Sequence, residues 1–300
     1  MEERLNFERQ YAHSLIDLLD SGVKTKNRTG IDTLVKQHQY YHLKNISSDF
    51  PLLKGKKVFP KNSLIELMWM LNGRTDVKWL QDRGVNFWNQ WQNAEGTIGK
   101  SYGYQFRNFN GVDQVQDLFD GLCADPTSRR NIIELWNAGD LKEMTLTPCV
   151  FSFQFNCIPI DNDKKFYIDL HVVQRSGDSF LGVCSDVMVA AWFLESVCNF
   201  ATNSLSNTND FRFSSRDVHY TINDFHLYEN HIEQAKQYLR NVNENKSNII
   251  DEKVSIHIQS EAYFDFDIFL KYSDMTEYKN FIMNKFYVDV YNHIKAEVAV

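Results

Sequence analysis

The stretch whose reading decides the fold runs from Leu146 to Asp186. It opens Leu146-Thr147-Pro148-Cys149, continues as an alternating apolar run through Phe155 and turns at Asp161-Asn162-Asp163. A second apolar run follows, ending Gln174-Arg175-Ser176-Gly177-Asp178-Ser179-Phe180-Leu181-Gly182-Val183-Cys184-Ser185-Asp186. Two apolar runs joined by an Asp/Asn turn predict a pair of adjacent strands. That pairing carries a thiol at the start of one strand and a guanidinium, a hydroxyl and two carboxylates at the end of the next. A nucleophile and an anion-binding cluster then share one cleft.

A lone cysteine is more often an inert buried side chain than a nucleophile. Arg175 argues for the second role, because the thiolate is the reactive form and nearby positive charge lowers the pKa that controls it. Five cysteines, Cys123, Cys149, Cys157, Cys184 and Cys198, form an odd set without a Cys-x-x-Cys pair. That pattern argues against a disulfide framework and a thiolate zinc site. The nine histidines are scattered, and His226 and His231 lie five apart, off a shared helix face.

The 300 residues, 43% apolar and 14% aromatic, suffice for one sizeable core. No internal repeat or long linker divides the chain, so a single domain over residues 1–300 is expected. Apolar runs such as Val187 to Phe193 are far shorter than the ~20 residues of a spanning helix. Met1-Glu2-Glu3-Arg4 lacks the order of a secretory signal, so a cytoplasmic protein without a membrane partner is expected. A net charge of −7 counts against a nucleic-acid polymer as partner. A single small phosphate needs only a few local arginines.

Residues 5–19 carry apolar side chains at helical spacing, closed by Ser21-Gly22. A polar loop, Lys26-Asn27-Arg28-Thr29-Gly30, precedes a strand from Thr33 to Leu43. After Pro60, the run Ser63 to Gly73 reads as a helix apolar nearly all round with a glycine at its end. Glu66 lies within it. It either reaches solvent at the helix edge or is buried, and burial would raise its pKa toward the range useful for proton transfer. Residues 82–107 hold Trp88, Trp91, Tyr102 and Tyr104, as core or as the wall of a pocket. Residues 112–123 form an amphipathic helix. Thr127-Ser128-Arg129-Arg130, a solvated loop on composition alone, leads into a strand from Asn131 to Trp136. A helix is expected from Ser185 to about Thr202, a surface loop from Asn203 to Asp210 and a strand over 211–222. Residues 236–277 are charged and irregular and carry no assignable chemistry.

Pro148-Cys149, Gln174-Arg175-Ser176 with Asp178, Phe180-Leu181-Gly182, and Asp224-Phe225-His226-Leu227-Tyr228 with Asn230-His231 together resemble the signatures of thymidylate synthases and their relatives, the deoxycytidylate hydroxymethylases. The likeness runs from Arg28-Thr29-Gly30 to the last residue, and several motifs in one order make it far more specific than any one alone. It implies an α+β fold with a mixed sheet flanked by helices, a homodimer, and 5,10-methylenetetrahydrofolate as co-substrate with no metal. It implies Cys149 as nucleophile, with Glu66, Tyr102 and Asp186 at the reacting base. Arg28, Arg175 and Ser176 would hold the 5′-phosphate, joined by Arg129 and Arg130 from the partner chain. Gln174, Asp178 and Gly182 fall among the nucleotide-binding positions, and His226 and Tyr228 near the sugar 3′-hydroxyl. Trp88, Trp91, Asp178 and the terminal Val300 would meet the folate. The tail from Ile294 to Val300 would close over the cleft and exclude water.

One position departs from the synthase pattern. Synthases carry an asparagine four residues after the glycine of Phe-Leu-Gly, and its amide donates to O4 of uracil and accepts from N3–H. Here that position is Asp186, either the cap of the following helix or the reader of the base. An ionised carboxylate only accepts, which suits the 4-amino group of cytosine. Val150 likewise stands where synthases usually have histidine. Both favour hydroxymethylation of dCMP, as used for modified DNA in some bacteriophages. Methylation of dCMP or dUMP is the alternative, and an inactive nucleotide- or RNA-binding relative is the reading from another class.

Overall fold

The structure is a computed structural model that describes residues 6–160 and 164–244. Helix α1 (Phe7–Ser21) begins at Asn6, whose side chain accepts from the Arg9 amide at 3.0 Å. Strands β1 (Val23–Thr25) and β2 (Thr33–Leu43) follow. Helix α2 (Pro60–Leu71) starts with proline in its first turn, and Gly73, at φ +69°, lies just past its end. Two five-residue helices, α3 (Val77–Gln81) and α4 (Gly103–Arg107), precede α5 (Gln114–Ala124). Then come β3 (Ile132–Glu134), β4 (Val150–Ile160) and β5 (Lys165–Asp178). The described chain ends with α6 (Gly182–Asn203), β6 (Arg212–Tyr228) and α7 (Ile232–Glu244).

The six strands form one mixed sheet in the order β1-β2-β6-β5-β4-β3. Only β5 and β6 are parallel, and α6 is the crossover that joins them. The β4–β5 pair bears out the expected pair of adjacent strands. Its turn, Asp161 to Asp163, lies outside the described residues, as does the tail with Val300. The expected strand over 131–136 is shorter at Ile132–Glu134, and β6 runs past residue 222 to Tyr228. The start of α6 falls three residues ahead of the expected Ser185, at Gly182. Asp186 is therefore inside the helix and does not cap it; Asp178 Oδ1 instead accepts from the amides of Phe180 and Leu181 at 3.0 and 3.3 Å.

Burial explains this arrangement. Helix α6 is long and apolar enough to cross a membrane by length and composition, yet 78% of its most apolar window is buried against β5, β6 and α2. Phe193 on it meets Phe106, Phe153 and Phe155 edge-on at 5.7, 5.3 and 5.1 Å. Each such pair adds about 0.5–1.5 kcal/mol to the burial itself. Helix α7, which lies partly in the region read as irregular, turns Ala235, Tyr238 and Val242 inward. The Tyr238 hydroxyl donates to Glu8 Oε1 at 2.5 Å, and the same carboxylate accepts from the amides of Lys54 and Gly55. Elsewhere on the sheet, His42, His219 and His171 stack across three strands with ring centroids 4.4 and 4.6 Å apart. Register alone, invisible in the linear order, brings these scattered histidines together.

Gly99 (φ +68°) sits where a Cβ would lie 1.8 Å from the Glu143 carbonyl oxygen. Gly99→Ala is expected to destabilise the fold by about 2 kcal/mol or more, since backbone must move and the conformation disfavours a side chain. A urea-unfolding midpoint equal to the wild type's would refute that.

Candidate active site

The site gathers where the carboxyl ends of β5 and β6 meet the start of β4 and the first turns of α6. Its base is a main-chain contact, the Arg175 amide donating to the Cys149 carbonyl at 2.8 Å. The Arg175 side chain then folds back along the segment before β4. Its Nε donates to the Pro148 carbonyl at 2.8 Å, and Nη2 to the carbonyl and hydroxyl of Thr147 at 3.1 and 3.0 Å. The same Nη2 lies 3.9 Å from Cys149 Sγ. The expected proximity of thiol and guanidinium is thus present.

Its expected electrostatic outcome is not. Burial pushes the Cys149 thiol up, and this outweighs the lowering by Arg175; Asp186 adds to the rise, while a hydrogen bond with Tyr102 and the charge of Arg28 oppose it. The free site therefore holds a thiol at neutral pH. The Cys149 amide donates to the Tyr102 hydroxyl at 2.8 Å, which leaves that hydroxyl's own proton to be given elsewhere.

Two carboxylic acids line the same space. Glu66, on the inward face of α2, is 7% exposed and accepts from Trp88 Nε1 at 2.8 Å. Burial pushes its pKa up to about 8, the charge of Asp186 adds to this, and the Trp88 bond pulls the other way. Of the two positions open to it in the sequence, it occupies the buried one. Asp186 on α6 is pushed up to about 7 by burial, against the hydrogen bond from Gln174 and with the charge of Asp178. Each acid thus holds its proton far above the ordinary carboxylate range.

Gln174 is buried at 1% exposure and fully engaged. Its Nε2 donates to Asp186 Oδ2 at 2.8 Å and to the Ser176 carbonyl at 3.0 Å, while its Oε1 accepts from the Tyr220 hydroxyl at 2.9 Å. Tyr220 drew no attention in the sequence, although its inward parity on β6 was a readable signal.

Trp88 is buried and meets Tyr102 edge-on at 5.5 Å, with its indole N–H spent on Glu66. Trp91 is only partly buried, and the exposed Arg28 lies 5.8 Å from its ring centroid. Register sets Ser176 beside Asp224, and Asp178 beside His226, whose Nδ1 lies 2.8 Å from Asp224 Oδ1. Tyr228 stacks edge-on against His226 at 5.3 Å. Burial raises its pKa, Asp178 adds to this, and a hydrogen bond with Thr29 and the charge of Arg28 oppose it. Gly182, in the first turn of α6, is close enough that a Cβ there would touch Asp186 Oδ2 at 3.6 Å. Arg129 and Arg130 are exposed on the turn before β3, and their guanidinium groups make no ion pair among the described residues.

The family model for thymidylate synthase matches residues 9–300. The chain belongs to the thymidylate synthase family. It is accordingly a one-carbon transferase that works with methylenetetrahydrofolate at C5 of a pyrimidine nucleotide. The residues present suit that co-substrate: Trp91, partly buried, keeps an aromatic face of the kind on which a flat ring stacks.

A buried acid with a raised pKa favours the folded state while protonated, so its contribution is full below about pH 4.5 and is lost as pH rises toward 8. Glu66→Gln keeps an oxygen for Trp88 and carries no charge to bury. Its thermal stability relative to the wild type is expected to improve steadily between pH 5 and pH 8. A difference that stays flat across that interval would show that Glu66 is ionised in the fold.

Proposed function

We propose that the protein hydroxymethylates dCMP at C5, with Asp186 reading the base. The observation that carries this is the pairing of Asp186 with Gln174: one carboxylate oxygen takes an amide proton, and the other accepts no hydrogen bond among the described residues. An amide at this position could donate to O4 of uracil, whereas an ionised carboxylate cannot. It accepts instead from the 4-amino group of cytosine. A proton shared between Asp186 and N3 completes a two-point contact, and a pKa near 7 suits that sharing. Val150, beside the nucleophile, is the second departure from the synthase pattern that favours this branch.

In this reading Cys149 adds through sulfur to C6, and the C5=C6 electron pair turns C5 into a nucleophile. The thiol, held protonated by burial, loses its proton in the course of this addition. Arg28, Arg175 and Ser176 hold the 5′-phosphate, and a bound phosphate draws Arg175 from its carbonyl partners. Gln174, Asp178 and Gly182 shape the wall around the base, and His226 and Tyr228 meet the sugar. Bound methylenetetrahydrofolate supplies the carbon unit as an electrophile. Trp88, Trp91 and Asp178 line its side of the cleft. Tyr102, whose hydroxyl also hydrogen-bonds the thiol, and Glu66, protonated near neutrality, move protons at C5 and at the incoming water. Arg129 and Arg130, exposed and without ion pairs among the described residues, suit a homodimer in which they reach the partner's nucleotide.

Incubation with methylenetetrahydrofolate and either dCMP or dUMP, followed by mass spectrometry, tests the reading. The expected product is 5-hydroxymethyl-dCMP, and Cys149→Ser abolishes its formation while nucleotide binding persists. Turnover of dUMP alone would overturn the assignment of Asp186, and a 5-methyl product from dCMP would overturn the hydroxymethyl outcome.

A further inference from the structure

We propose that Tyr220 and Gln174 are positioning residues that hold Asp186 Oδ2 as a hydrogen-bond acceptor and thereby keep uracil out of the site. The proposal rests on the reading of Asp186 as the residue that meets the base. It adds a layer behind that residue: Tyr220 acts through Gln174, and Gln174, besides its place in the wall around the base, acts through Asp186.

The geometry leaves the Gln174 carboxamide one good orientation. Its oxygen faces the Tyr220 hydroxyl at 2.9 Å, and its two protons face the Ser176 carbonyl at 3.0 Å and Asp186 Oδ2 at 2.8 Å. Tyr220 and Gln174 are 0% and 1% exposed, so water does not replace a lost partner. Turning the amide over would set its oxygen against the Ser176 carbonyl and strip the Tyr220 proton of its acceptor. Leaving such buried groups unpaired weakens an equilibrium by roughly tenfold or more. The amide therefore always offers Asp186 a donor.

A carboxylic O–H oxygen is a poor acceptor, so this donor disfavours a proton on Oδ2 and directs any proton to Oδ1. The distinction decides the substrate. A fully adaptable, protonated Asp186 would present a donor on one side and an acceptor on the other, as asparagine does, and uracil would fit. An Asp186 held by Gln174 accepts at Oδ2 and uses Oδ1 either as acceptor or as donor to N3, which suits cytosine in both protonation states.

Other groups facing Asp186 act on its charge. Asp178 at the end of β5 raises its pKa, and Glu66 from α2 is coupled to it as a like charge. Cys149, Tyr102 and Tyr220 also feel its charge. Beside burial, the Gln174 hydrogen bond is the largest influence and the one that lowers the pKa. Tyr220 polarises that amide from behind and strengthens its donation. Loosening either residue favours protonated Asp186 and, with it, uracil.

The test measures dissociation constants for dCMP and dUMP by calorimetry between pH 5.5 and 8.5, without folate, in the wild type, Tyr220→Phe and Gln174→Met. In the wild type, dCMP is preferred at every pH in this range, because Asp186 held at Oδ2 offers no donor to O4 in either protonation state. Tyr220→Phe is expected to shrink the dCMP-to-dUMP preference by about tenfold and to make dUMP binding strengthen as pH falls. Gln174→Met does the same more strongly. If Gln174→Met does not fold, Tyr220→Phe, which removes one oxygen, decides alone. Equal weakening of both nucleotides, or an unmoved preference with no pH dependence of dUMP binding, overturns the lock and leaves a purely structural role. A wild type that prefers dUMP at pH 8 defeats the cytosine reading itself, and the lock with it. The two failures are told apart before any variant is made.

Discussion

The hydrogen bond from the Arg175 amide to the Cys149 carbonyl is the contact on which the site depends. It extends the β4–β5 ladder by one step beyond Val150 and Gln174, and so ties the thiol to a strand that has an antiparallel neighbour on one side and a parallel one on the other. Because β5 and β6 are parallel, their carboxyl ends fall side by side. The crossover helix α6 begins there, and its first turns meet Gln174. Position on the sheet brings Cys149, Arg175, Gln174 and Asp186 together from two segments of one stretch of chain.

The acids are where the protein accepts a cost. Glu66 and Asp186 are both pushed toward neutral form by burial and lie close enough to oppose each other's ionisation. A core built for stability alone would hold apolar side chains at these points. Each acid is instead held by one donor, Trp88 for Glu66 and Gln174 for Asp186. Those donors are themselves buried, and Gln174 is fixed from behind by Tyr220. The result is a pair of acids that titrate near neutrality, beside a thiol that burial holds protonated. Charge brought in by a ligand meets a site that has little of its own to spare.

Much of this was legible in the sequence. Alternation through β2 and β4, the apolar face of α1 and the proline-to-glycine frame of α2 all carried their elements, while Glu66 stood out as a carboxylate among apolar neighbours whose burial the sequence left open. The α+β class and the site motifs followed from the family resemblance. What was missed has physical reasons. Strand β1 and helices α3 and α4 are too short for periodicity to register. Helix α7 shows inward residues only at Ala235, Tyr238 and Val242, a helical spacing easily lost among charges. The thiol's direction of shift depends on burial against Arg175, a balance set by packing that no motif encodes. Tyr220 matters only through the register that brings its hydroxyl to Gln174.

The central claim is that a carboxyl group at position 186, in place of an amide, chooses the base. Steady-state turnover of dCMP and dUMP by Asp186→Asn tests it most directly, since the change exchanges one oxygen for an NH2 group on an otherwise intact cleft. The account predicts that dUMP becomes the preferred substrate and that dCMP turnover falls by orders of magnitude. An Asp186→Asn enzyme that keeps the wild-type preference would contradict it.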